Sequence, residues 1–475
     1  MKKIFYLLIS VLILQSCTKD ITRFNEETKA AAKVPAGTLV ANSMKTLADV
    51  FASGSVNTNI WRFTVKHWAM GTYQDEAQYD FTTRNIPQAW WNTMYRDVLN
   101  DLQDAARIIT DNTVLDPVVK ANQLAIIDIM QVYTYRTLVN TFGDIPYTEA
   151  LNPDILFPKY DDAKTVYADL LKRLAADLAK LNTASGSFTA SEDLINGGKV
   201  DKWVKFGSSL QMQMGMILAD VDPATAKATV EAANAKAISS STDNVKFKYL
   251  VGSPNQNPLY VDIVLGGRPD YVASVDLMTQ LNNLNDPRKS QFFGTNNDGK
   301  YVGGVVGTVN DFSAMSKPSS KVSAEDAPVM FMSYSQTEFL RAEAIERGFS
   351  IPGTAAEHYN NAITASILDW GGTAAEASAY LAQPEVAYAT AAGDWKQKIG
   401  FQKWIALYNQ PFDGWTELRR LDFPVLTLPV AAKSGFPNRF PYPSIEQQVN
   451  GTNYTSAAAK MGADKVEFKL FWDKF

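Results

Sequence analysis

The chain has 475 residues, with 45 Lys and Arg against 50 Asp and Glu and a formal net charge of −5 at neutral pH. That mild acidity argues against a nucleic-acid-binding protein, which carries a basic face, and the length exceeds one typical hydrophobic core, so one large composite domain or two intimate lobes are expected. A single cysteine excludes an internal disulfide and a cysteine-rich metal site.

Lys2 and Lys3 precede an almost unbroken apolar run from Ile4 to Leu14. A charged start with a short hydrophobic middle is the pattern of an export signal, and the run is shorter than the roughly 20 apolar residues that span a bilayer. The lone thiol sits at its end, in "LQSCTKD" (14–20). Leu14-Gln15-Ser16-Cys17 resembles the bacterial lipoprotein signal, in which the cysteine is diacylated on sulfur, freed by cleavage and N-acylated, with palmitate as a usual acyl group. One acyl chain holds a protein only marginally, whereas two or more anchor it. The other reading is an ordinary secretory peptide with a chance cysteine. The resemblance implies a signal peptide over 1–16, a lipidated Cys17, a linker over 17–40 and one composite domain over 41–475. Loss of Lys2 and Lys3 takes the mature charge from −5 to −7. Thr18, Lys19 and Asp20 resemble the surface-export signal of Bacteroidota-type lipoproteins, which places the protein on the outside of the outer membrane. No second long apolar run follows.

Trp61, Trp68, Tyr73 and Tyr79 stand close to Gln74, Asp75 and Glu76. Sugar rings are flat on one face and polar at the edge, so a cluster of aromatic, amide and carboxylate side chains suits a glycan site. Trp61, Trp90 and Trp91 are expected in the core, because tryptophan is highly buried on average. Trp68 and Tyr73 stand open between core and ligand, since Gly71 interrupts the helical pattern beside them.

Helical periodicity then recurs. Ile126, Ile129, Met130 and Tyr133 fall at i, i+3, i+4 and i+7, as do Tyr167, Leu170, Leu171 and Leu174, and helices are predicted around 118–141, 162–181 and 202–219. Gly143 reads as the C-terminal cap of the first, with Pro146 beyond it. From 245 to 330 the chain is rich in Gly, Asn and Pro and reads as loops, which at such length are commonly functional. Asn255, Gln256, Asn257, Tyr260, Arg268 and Tyr271 form a second candidate patch there; the competing role for its amides is turn geometry. Asp286-Pro287-Arg288 reads as a turn whose arginine pairs with a carboxylate. Between Ser335 and Trp370 two helical patterns meet at a Gly/Pro turn, and Ala355 and Tyr359 match the small-then-aromatic spacing of a tetratricopeptide hairpin. One such repeat cannot bury its face alone, so the earlier helices are expected to stack with it. Phe401, Trp404, Ile405 and Tyr408 give a further stripe, and Arg419 and Arg420 are expected to form ion pairs that tie the C-terminal region to the helices.

Taken together, the lipoprotein start, "WAMGTYQDEAQYDFTTRNIPQAWWNTMYRDVLNDL" (68–102), "NTFGDIPYTEA" (140–150), "LNDPRKSQFF" (284–293), "SYSQTEFLRAEAIERGF" (333–349) and "FPNRFPYPSIEQQVN" (436–450) resemble SusD/RagB-like nutrient-binding outer-membrane lipoproteins, in the branch called SusD-like group two. The resemblance implies a mainly α fold: a tetratricopeptide-like superhelix, with helical repeats around 118–220 and 335–410, and an irregular lobe around 245–330 packed on it. It also implies capture of an oligosaccharide or oligopeptide at the cell surface and its delivery to a SusC-like, TonB-dependent β-barrel, without chemistry.

Two other classes compete. A helical-repeat scaffold or adhesion protein needs no small cargo. A hydrolase has little to work with: His67 and His358 are the only histidines, and the chain lacks H-E-x-x-H, G-x-S-x-G, Walker A and G-x-G-x-x-G patterns. Paired carboxylates leave glycoside hydrolysis formally open. No metal motif and no cofactor is implied, and there is no D-x-D-x-D-G calcium loop.

Overall fold

The computed structural model describes residues 34–475 apart from Val56 and Thr58, so the export signal and Cys17 lie outside the described residues. Ten longer helices organise the chain: α1 (Ala36–Ala52), α2 (Asn100–Asp111), α3 (Pro117–Phe142), α4 (Ala163–Lys180), α5 (Val200–Ile217), α6 (Pro223–Asn234), α7 (Tyr334–Glu346), α8 (Ala355–Asp369), α9 (Trp395–Ala406) and α10 (Pro411–Leu421). From α3 onward they pack as consecutive hairpins, α3 on α4, α5 on α6, α7 on α8 and α9 on α10, with α4 on α5 and α7 on α9 joining the pairs. This is the tetratricopeptide-like stack that the residue spacing predicts. The expected linker ends early, however, because α1 begins at Ala36 and already buries Val40, Met44 and Leu47.

Local chemistry sets the helix boundaries. Asp116 caps α3 by accepting from the Val118 and Val119 amides, and Pro117 fills the first turn, where a missing N–H costs nothing. Thr354 and Glu357 close a capping box at the start of α8. Gly143 ends α3 at φ 87°, a conformation a side chain resists, and a Cβ there would meet Met461 Sδ at 3.0 Å. Small side chains let α7 and α8 approach: Ala342, Ala344 and Ala362 are buried, with Phe339 and Tyr359 filling the space beside them. The predicted stripe of α9 stops one turn short, since Tyr408 lies beyond the helix.

The loop-rich region is not wholly irregular. Three two-stranded antiparallel ladders form: β1 (Trp68–Met70) with β5 (Tyr271–Ala273), β2 (Ile145–Pro146) with β3 (Tyr160–Asp161), and β4 (Val245–Phe247) with β6 (Val329–Met332). Strands of two to four residues carry too little alternation to be read from sequence. The same hydrophobic cluster holds Val40, Trp90, Tyr133, Trp203, Phe331 and Trp472, so the lobe and the helical stack share one core.

Charge is buried at the seams. Arg420 is nearly inaccessible and lies between Glu343 and Glu417, the latter at 2.5 Å. Lys403 reaches Glu417 at 2.9 Å, and Arg347 links Glu343 at 2.7 Å to Asp220 at 2.8 Å. Arg420 thus makes the ion pairs expected of it, whereas Arg419 does not. Arg419 stacks on Trp415 and Trp472 and donates to the carbonyls of Asn140 (2.9 Å) and Asn438 (2.7 Å), which leaves its charge held by dipoles and π-faces. Arg288 pairs with its own turn, donating to both oxygens of Asp286 at 2.9 and 2.6 Å.

Between α3 and α4, Asp177 is 1% exposed and lies beside Asp128, and burial pushes its carboxyl up to about 8 from 3.8. A raised folded pKa means that the unfolded chain releases this proton first. The stability it contributes is therefore complete below pH 3.8 and is lost as pH rises through 8. Asp177→Asn is expected to melt a few degrees above wild type at pH 8, with the gap closing toward pH 4. Thermal scans at both pH values check this, and an equal gap at both would refute it.

Candidate functional site

The β1–β5 ladder joins the two patches singled out from sequence. Trp68 pairs with Ala273 and Met70 with Tyr271, so the segment after β1 runs beside the segment before β5. The Gly71 amide continues the contact, donating to the Asp270 carbonyl at 2.6 Å. A Cβ on Gly71 would lie 2.8 Å from the Pro269 carbonyl oxygen, so only glycine permits this approach. Thr72 Oγ1 donates to the Asp270 carboxylate, and Arg268 Nε donates to the same group at 2.7 Å.

Tyr73 emerges from this junction 46% exposed, an uncommon state for a large aromatic. The Arg268 guanidinium lies 5.9 Å from its ring centroid and that of Arg84 lies 5.2 Å away, both within cation–π range. Arg84 is held in turn by an ion pair of 2.5 Å with Glu76, whose carboxyl is pushed up by burial. Arg268 is held charged by its hydrogen bond to Asp270. Gln74 and Asp75 follow it in the chain, half-buried. Asn310 Nδ2 donates to the Met70 carbonyl at 2.8 Å and Gln78 Nε2 to the Gly307 carbonyl at 2.9 Å, which fixes the loop around 303–310 alongside, with Val309 73% exposed. The result is a half-exposed aromatic ring with two fixed guanidinium groups over it, and this suits a ligand with an apolar ring face and a rim of hydroxyl groups.

Three candidates leave the site. Trp68 is fully buried, and its indole N–H donates to the Tyr408 hydroxyl at 2.9 Å while Arg62 covers its ring, because its position in β1 points it into the shared core. Tyr271, directly across the ladder from Met70, is also buried and donates its hydroxyl to the Gly54 carbonyl at 2.6 Å. Asn257 is a cap: its Oδ1 accepts from the Leu259 amide and its Nδ2 donates to the Ala327 carbonyl, both inside the fold. Asn255 is exposed and Tyr260 half-buried, but their segment is tethered to Glu325, through the Gly252 amide at 2.6 Å and Gln256 at 2.5 Å, and not to the Tyr73 junction. Trp61, Trp90 and Trp91 are core residues, as expected.

Arg84 and Thr72 are contributors that sequence reasoning missed. Nothing in periodicity marks them; their only sequence sign is a place within the dense aromatic segment after β1. The histidines stand elsewhere. His67 is buried beside Trp404 with its pKa pushed down to about 3, and half-buried His358 is wedged between Glu338 (2.7 Å) and the Pro352 carbonyl (2.8 Å). Among the described residues no group of three or more His, Cys, Asp and Glu side chains is arranged to hold a metal ion, and no helix is long and apolar enough to cross a membrane.

Comparison with known proteins places this geometry in context. Residues 28–443 match the SusD-like family described as "Starch-binding associating with outer membrane". Comparison with curated proteins returns no match. Among solved structures, a "chitin-binding protein" superposes at TM-score 0.81 with 24% identity, covering 93% of this chain and all of that one. A SusD homologue from Bacteroides uniformis gives 0.76 with 25% identity over 92% of this chain and 99% of its own. A chitin-binding SusD homologue from Flavobacterium johnsoniae gives 0.76 with 22% identity over 92% and 98%.

Proposed function

Because the chain belongs to the SusD-like family, we propose that it is a surface glycan-binding lipoprotein, anchored to the outer membrane through Cys17, that captures an oligosaccharide at Tyr73 and delivers it to a SusC-like, TonB-dependent β-barrel. The observation that carries the capture step is the half-exposed Tyr73 ring with the Arg84 and Arg268 guanidinia over it. A carbohydrate is preferred to a peptide because the ring presents a stacking face where a peptide strand would need a free backbone edge. The chitin-binding relatives agree with that choice. The site's groups do not form a hydrolytic pair: Asp270 is engaged by Thr72 and Arg268, and Glu76 by Arg84. These engagements support capture without turnover.

Mass spectrometry of a gentle detergent pull-down through a C-terminal tag tests the whole proposal. Recovery of a TonB-dependent barrel and a trapped glycan is expected; recovery of the protein with neither overturns it in favour of a scaffold. The anchor is tested separately, since Cys17→Ala is expected to abolish palmitate labelling and release the protein from membranes. Labelling that persists in the variant would refute the anchor.

A further inference from the structure

A second surface feature lies away from the Tyr73 junction. The segment 245–249 alternates strictly: Val245, Phe247 and Tyr249 are buried in the core, and Lys246 and Lys248 point the other way. The face they present borders an open groove of about 470 Å³ whose opposite wall is the start of α5, bearing Lys199 and Lys202. Lys246 also lines an adjoining cavity of about 120 Å³ between the lobe and the α7–α8 hairpin, which contains Lys321 and Trp370.

Five lysines therefore line two recesses that share Lys246, in a protein whose overall charge is negative. None of the five makes an ion pair among the described residues. The neighbouring carboxylates are occupied. Asp193 accepts from the Trp203 indole at 2.7 Å and the Gly198 amide at 2.8 Å, Asp243 is paired with Lys205 at 2.7 Å, and Asp369 accepts from Asn244 at 2.8 Å. Lys321 donates only to neutral oxygens, those of Trp370 and Gln291. Lys202 and Lys246 are half-buried and Lys199, Lys248 and Lys321 exposed, and against the carboxylates of Asp193 and Asp369 they leave the lining with a net positive charge, which attracts an anionic ligand.

We propose that this groove binds the acidic groups of the oligosaccharide, carboxylates or sulfates, so that the nutrient is an anionic glycan. The proposal rests on the glycan-binding reading and sharpens it. Carboxylate and sulfate share the charge and acceptor oxygens that an ammonium group recognises, and the spread of lysines over two walls suits an extended chain rather than a single ion. Trp370 at the inner end offers an aromatic surface beside Lys321 and Lys246.

Calorimetry on the full-length protein in detergent tests this with four probes of matched length: oligogalacturonate, a sulfated carrageenan oligosaccharide, maltohexaose and chitohexaose. At about 20 mM salt an acidic probe is expected to bind roughly tenfold tighter than the neutral ones, with the advantage shrinking at about 300 mM. Lys246→Gln with Lys248→Gln is expected to remove that advantage and leave neutral binding intact, whereas Tyr73→Ala is expected to weaken both kinds together. Tight oligogalacturonate assigns carboxylates, and tight carrageenan, which carries sulfates and no carboxylate, assigns sulfates. Neutral probes that bind as well as acidic ones, or an acidic preference that survives the lysine variant, overturn the inference and leave the glycan reading standing. Absence of binding by all four overturns both. Equal binding of a single-stranded DNA oligomer would show unselective anion exchange and also overturn it.

Discussion

Arg420→Ala is expected to cost about 3–5 kcal/mol of stability, because it removes the cation that two buried carboxylates share. Glu343 comes from α7 and Glu417 from α10, and both are less than a tenth exposed. Without the guanidinium, Glu343 keeps Arg347 and Glu417 keeps Lys403, but those cations do not fill the space between the two carboxylates. Denaturant titration of the variant against wild type reads the loss, and a difference below about 1 kcal/mol, the scale of an exposed pair, would refute the network's role.

The same network has a pH signature. The cations around Glu343, Arg420 foremost, offset the burial of its carboxyl and hold it down to about 2 from 4.5. A depressed folded pKa contributes stability that is complete above pH 4.5 and is lost as pH falls through 2. The gap between wild type and Glu343→Gln is therefore expected to be widest near neutrality and to narrow on acidification, the opposite slope to that of Asp177. Thermal scans of both variants in one buffer series check the pair of slopes.

Much of the helical stack was legible from the sequence and much of the site was not, for a common physical reason. A helix of 12 to 26 residues repeats its buried stripe several times, so α3, α4 and α5 announce themselves within two residues of their observed ends. The short ladders decide the site, and three residues repeat nothing. Trp68 and Tyr73 are equally aromatic and close in sequence, yet one faces the core from β1 and the other passes out after Gly71. That distinction depends on Tyr271 lying across the ladder, about two hundred residues along the chain. Arg268 belongs to the loop patch that its sequence marks out, but its place beside Tyr73 depends on the same pairing. The alternation over 245–249 spans too few residues to stand out from the loops that follow it, although its lysines share one face.

Tyr73→Ala is expected to weaken glycan binding by roughly ten- to a hundredfold, corresponding to about 1.4–2.8 kcal/mol, with little change in melting temperature. The two halves of this expectation have one origin. A ring that is 46% exposed contributes little packing to the fold, so its energetic value lies in what covers it. Tyr73→Phe keeps the stacking face and the flanking guanidinia of Arg84 and Arg268, and is expected to retain most of the affinity. Arg268→Ala should fall between the two, because it removes a cationic donor from over the ring and also frees the Asp270 carboxylate, which then repels an acidic cargo. Calorimetry with the glycan recovered from the pull-down ranks the three variants against wild type. If Tyr73→Ala binds as tightly as wild type while remaining folded, the junction after β1 is a structural corner and the cargo site lies elsewhere. If Tyr73→Phe loses as much as Tyr73→Ala, the hydroxyl and not the ring face makes the contact, and recognition is by hydrogen bonding rather than stacking.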